Sequence, residues 1–155
     1  MTIQENKNQL IANRLMRTDE EISLFEAAMD NIFEEKQIEI VPLLLEGFDD
    51  QTEEEEVMFS LIHAIEYFVG QNGMKEYIKI VFENYHLLFP HAKRWAEIIL
   101  LRLINDEESF NIIPDLIQYI KSDHKTEIKE IITKLINRNP AKFKEKGEKL
   151  LSLIG

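Results

Sequence analysis

The chain has 155 residues, 45% hydrophobic and 30% charged, with a formal net charge of −11. That is enough chain to bury a core without staples, and the balance of apolar and charged residues excludes a disordered segment. Cysteine is absent, which excludes disulfides and thiolate metal sites and suits a reducing cytoplasm. Met1–Asn8 holds no apolar run of the kind a signal peptide needs, and no apolar stretch is long enough to span a membrane. Five glycines and four prolines leave little material for hairpins or phosphate-binding loops, so the chain reads as all-α.

In order, about nine helical segments are expected from the apolar periodicity. Residues 3–16 carry Ile3, Leu10, Ile11 and Leu15. Thr18 then opens a capping box closed by Glu21, and the helix that follows carries Ile22, Phe25, Ala28, Met29, Ile32 and Phe33. A shorter element, Ile40 to Leu45, stops at Gly47. The next helix, over 53–70, places Val57, Met58, Leu61, Ile62, Ile65 and Val69 on one face, with Phe59, His63 and Glu66 one turn apart on its flank and Tyr67 beside them. Gly70 and Gly73 bracket the following turn. Met74 to His86 forms another helix, and Pro90 suits the first turn of the one holding Trp95, Ile98, Ile99, Leu101 and Leu103. Phe110–Ile120, Ile128–Ile136 and Phe143–Ile154 complete the set, Asn139-Pro140 opening the last. Trp95 and the aromatics Phe59, Tyr67, Tyr77, Tyr85 and Phe89 default to core positions.

Ile40-Val41-Pro42 and Ile112-Ile113-Pro114 echo each other at an offset of 72 residues, and half that offset lands on Glu76-Tyr77-Ile78. Each of the three sites is followed by a turn and a second helix. The expected architecture is a single HEAT-like α-solenoid over 1–155, of stacked antiparallel helix hairpins. Capping helices occupy 1–36, three helix pairs 37–139 and a C-terminal capping helix 140–155. An irregular helical bundle is the alternative. The helices over 57–69 and 95–104 belong in the middle, since only an interior position buries so wide an apolar arc.

Charge is uneven. Residues 18–66 hold sixteen acids and one base, Lys36, a local net of −15. This argues against nucleic acid and for a basic partner, because complementary fields speed encounter; a merely solvated face is the other reading. The lysines of the last helix, diluted by Glu145 and Glu148, read as a solvated cap. No catalytic constellation stands out. His63-Ala-Ile-Glu66 and Glu83-Asn-Tyr-His86 run in opposite orders, whereas a di-iron carboxylate bundle needs two Glu-x-x-His pairs, and the zinc motif His-Glu-x-x-His is missing. No catalytic residue, metal or cofactor is therefore assigned. His63 is expected to hydrogen-bond Glu66 or a backbone carbonyl within the packing.

The segment from Phe48 through Asp49, Asp50 and Glu53 to Glu56, His63 and Glu66 resembles the central motif of an all-helical immunity-protein family of bacterial polymorphic-toxin systems, the one numbered thirty. The likeness is densest over 48–105. It implies a non-catalytic cytoplasmic protein that binds and neutralises a cognate toxin domain, and it carries Asp49, Asp50, Glu56, His63 and Glu66 into the binding site. Added to the charge argument, the expected partner-binding residues are Asp49, Asp50, Glu53, Glu54, Glu55, Glu56, Phe59, His63 and Glu66. A helical-repeat scaffold for some other basic protein is the alternative. Neither reading involves nucleic acid or a membrane.

Overall fold

A computed structural model describes all 155 residues, Met1–Gly155, and contains helices and turns but no strand. Nine α-helices follow one another: α1 (Ile3–Ala12), α2 (Asp19–Phe33), α3 (Val41–Leu45), α4 (Glu55–Asn72), α5 (Met74–Glu83), α6 (Lys93–Asn105), α7 (Glu107–Leu116), α8 (Lys125–Arg138) and α9 (Pro140–Ile154). Short 3-10 turns lie in the connections before α3, α6 and α8. One cluster of 41 buried apolar residues, from Leu10 to Ile154, joins all nine helices, so no second core exists.

The helix boundaries show which local signals carried weight. Thr18 caps α2 by accepting the Glu21 N–H at 3.1 Å. The reciprocal half of the box is shifted by one residue: the Glu21 carboxylate takes the Arg17 N–H, not that of Thr18. Gly70 does not end α4, which continues to Asn72; Gly70 is exposed, and a helix interior tolerates one such glycine. The stop is Gly73, whose φ of +92° lies where other residues rarely go. The expected helix to His86 ends earlier, at Glu83, and gives way to a 3-10 turn over Tyr85–Leu88. Pro90 falls before α6 instead of within its first turn. In α7 the helix passes through Pro114 for two more residues and ends at Leu116, short of the expected Ile120.

Chain-adjacent helices pack as α1 with α2, α4 with α5, α6 with α7 and α8 with α9, and α5 also packs on α7. The Ile-x-Pro echo suggested other partners, with α3, α5 and α7 each opening a pair. Connection length explains the difference. Single residues, Gly73, Asp106 and Asn139, separate three of the observed pairs, and six residues, 13–18, the first; residues 84–92 and 117–124 separate α5 from α6 and α7 from α8. A one-residue joint leaves the second helix nowhere to go but back against the first. Gly147 serves the last pair: a Cβ there would stand 2.5 Å from Ile136 Cγ1, so the glycine lets α9 approach α8.

Of the two helices expected in the middle, α6 is largely buried but α4 keeps an exposed side, and it is α5 that packs against α3, α4 and α7. Met58, Leu61, Ile62, Ile65 and Phe68 of α4 are buried, and seven residues of α6 are buried, Trp95 among them. Trp95 packs against Phe48 at 5.8 Å and meets Phe59 edge-on at 5.2 Å. Phe48, fully buried, contributes on the order of 1.5–3 kcal/mol.

Candidate functional site

The acidic stretch enters the fold as a turn, residues 46–54, followed by α4. Asp49 is buried, and its carboxylate accepts from Arg14 Nε at 3.0 Å and from the Gln51 N–H at 2.9 Å. Arg14 also donates to the Glu46 carbonyl at 3.0 Å, which ties the end of the first hairpin to this turn. Asp50 caps a helix it does not belong to. The residue at the N-cap of α6 is Ala92, which has no acceptor, so the Asp50 carboxylate takes the Arg94 N–H at 3.1 Å and the Trp95 N–H at 3.4 Å. Negative charge there also suits the positive end of the helix dipole. The Asp50 N–H in turn donates to the His91 carbonyl at 2.9 Å.

Further along, the glutamates divide. Glu55 pairs with Arg94, and that hydrogen bond, then the guanidinium charge, lowers the Glu55 pKa. Glu66 holds Arg102 by two bonds of 2.8 and 2.7 Å, and those bonds raise the arginine's pKa further. Glu53 and Glu56 are exposed and Glu54 half-buried, and none of the three joins an ion pair. Phe59 and Tyr67, core candidates by pattern, are each 37% exposed. Tyr77, Tyr85 and Phe89 are buried.

His63 differs most from expectation. Its side chain is 68% exposed, and its Nδ1 stands 3.8 Å from Glu66 Oε1, too far for a hydrogen bond. Arg102 has taken the carboxylate that the His-x-x-Glu spacing seemed to reserve. Glu56, Phe59, Ser60, His63 and Tyr67 thus form the exposed side of α4. Asp49, Asp50, Glu55 and Glu66 are engaged inside the chain.

Sequence reasoning passed over the bases that answer these acids. Arg102 follows Glu66 by 36 residues, and the local pattern of neither helix pairs the two. Glu97 is another omission: it is buried, with Lys134 at 3.1 Å and Arg138 at 2.8 Å joining α8 to α6. No group of three or more His, Asp or Glu side chains is gathered closely enough to hold a metal ion. No helix is long and apolar enough to cross a membrane.

A family model, immunity protein 30, matches residues 12–113, from the end of α1 into α7. The chain belongs to the immunity protein 30 family. No curated protein and no solved structure matched the chain. Members of such a family are typically non-catalytic and work against a cognate toxin. The matched region contains 22 acids and 8 bases, whereas residues 114–155 contain 6 acids and 9 bases, so the negative charge lies within the family region.

Proposed function

We propose that this chain is a cytoplasmic immunity protein that binds a basic cognate toxin domain and blocks it without catalysis. The binding surface is the acidic edge around residues 46–66. Membership of the immunity protein 30 family carries this reading. The unpaired carboxylates of Glu53, Glu54 and Glu56 and the exposed Phe59 and His63 support the choice of face. In this division of labour Asp49, Asp50, Glu55 and Glu66 shape the face from behind, holding the turn, α6 and α4 in register through Arg14, Arg94 and Arg102. A stack of helix pairs, as in helical-repeat arrays, would present α4 as one edge of an extended surface.

Complementary charge makes binding fast and sensitive to salt, since screening shortens to about 10 Å at 0.1 M. The test replaces Glu53, Glu54 and Glu56 by lysine together and leaves Glu55 in place, because Arg94 holds it. Affinity for a cognate toxin domain is measured at two salt concentrations. The expected result is a folded variant with weakened binding and an altered salt slope. Unchanged affinity and slope would show that the run is only a solvated face.

A further inference from the structure

An open groove of about 470 Å³ runs between α2 and α4. Glu26, Met29, Asp30 and Phe33 line it from α2; Ser60, His63, Ala64 and Tyr67 line it from α4. Both sets are spaced i, i+3, i+4, i+7, so each helix lends one continuous stripe of its surface. One end is closed by Phe33 and Tyr67, whose rings meet edge-on at 5.1 Å. The floor is low because Ser60 and Ala64 are small. Glu26 and Asp30 are exposed on the α2 wall, and neither takes part in an ion pair.

Two features say what would occupy such a groove. The aromatic end already holds a cation: Lys36 Nζ lies 3.8 Å from the Phe33 ring centroid and 5.1 Å from that of Tyr67. Lys36 is also the one base among residues 18–66. The carboxylate end has no counterpart. Glu26 and Asp30, four residues apart on one helix, repel each other, and nothing in the chain offsets that repulsion. Apolar floor, aromatic end and paired carboxylates together match a long basic side chain, whose stem packs on carbon while its head reaches the acids.

We propose that the α2–α4 groove is the anchor site for an arginine-bearing segment of the toxin domain, with the guanidinium held between Glu26 and Asp30 and the stem against Met29, Ala64 and Tyr67. This rests on the proposed function and adds to it a pocket outside the 46–66 stretch. An arginine fits better than a lysine, since its planar fork can engage two carboxylates at once while its carbon stem lies along the apolar floor. The exposed His63 stands on the opposite wall, where it contributes a further polar contact.

The test compares two neutralising doubles with equal charge change, E26Q/D30N in the groove and, just past the C-terminal end of α2 and outside it, Glu34→Gln with Glu35→Gln. Affinity is measured for a cognate toxin domain, and thermal unfolding confirms that each variant folds. E26Q/D30N should weaken binding at least about tenfold while its melting temperature holds or rises, and the E34Q/E35Q double should weaken it by less than about threefold. Ser60→Trp, at an exposed position on the floor, should fill the groove and weaken binding as E26Q/D30N does. Equal losses from the two doubles, or full affinity in S60W, would overturn the groove and leave the acidic-edge reading standing. Failure of the unaltered chain to bind the toxin domain would remove both.

Discussion

The turn over residues 46–52 and the exposed side of α4 are neighbours in sequence and both acidic, yet their carboxylates meet different surroundings. In the turn, Asp49 is buried against Arg14 and Asp50 caps α6. On α4, Glu56 has no partner and His63 is mostly in water. The difference comes from what the rest of the fold lacks at each place. Helix α6 has an alanine at its N-cap and takes its acceptor from Asp50, whereas α4 follows Glu54, which makes no side-chain cap, and no other segment supplies one. Identical side-chain chemistry thus holds the fold together in one region and is left over in the other. Charge count alone does not separate the two, but partner geometry does.

Replacement of Asp49 is expected to have the largest effect on stability. Asp49→Ala leaves the Arg14 guanidinium half-buried without its anion and breaks the turn at Gln51. Removing one partner of a fully buried pair costs about 3–5 kcal/mol, and the partial exposure of Arg14 brings the expected loss to about 2–3 kcal/mol. Denaturant unfolding measures it. Asp50→Ala comes next, since losing a helix N-cap costs about 0.5–2 kcal/mol. Both should weaken toxin binding only in proportion to lost folded protein. A loss of affinity in fully folded D50A would place Asp50 in the interface and break the comparison.

A pH series gives a smaller effect. Burial lowers the pKa of His91, and the nearby Arg14 charge lowers it further; burial, then Lys121 and His124, lowers that of His86. Both histidines therefore favour the neutral form in the folded state. A folded-state pKa below the unfolded value of 6.5 means that the unfolded chain binds more protons between the two. Stability should be complete above pH 6.5 and decline as the pH falls from there through the folded values. Melting temperatures from pH 8 to 5 measure this, and His91→Gln should flatten the decline. A melting temperature that rises on acidification through this range would contradict the burial of these rings.

Several local signals survived from sequence to structure: the Thr18 cap, the Pro140 start and the apolar face of α4 lie where side-chain chemistry and backbone freedom put them, although α4 runs past Gly70 to stop at Gly73. What could not be read lay in contacts between distant segments. Arg14 and Asp49 are 35 positions apart, and Asp50 and Arg94 are 44 apart. Nothing within either segment distinguishes a carboxylate that will be buried from one that will not. The His-x-x-Glu motif misled for the same reason. Its spacing permits a contact, but Arg102, arriving from α6 with two donors in a fixed fork, competes for Glu66 more effectively than an imidazole one turn away.

That competition sets the smallest expected effect. In a double-mutant cycle on fold stability, Glu66→Ala and Arg102→Ala should couple by up to about 1 kcal/mol, the upper range for a partly exposed bidentate pair. Glu66→Ala and His63→Ala should couple hardly at all, and His63→Ala alone should change stability by less than about 0.5 kcal/mol, as surface substitutions usually do. The same H63A protein tested against the toxin domain then separates the two roles open to this histidine. An imidazole that merely occupies the surface leaves affinity intact. One that faces the partner weakens binding without touching the fold, and its effect should then be non-additive with that of Glu26 and Asp30 across the groove. Strong coupling between His63 and Glu66 in the stability cycle would restore the His-x-x-Glu unit and place His63 with the turn carboxylates, as part of what holds the fold.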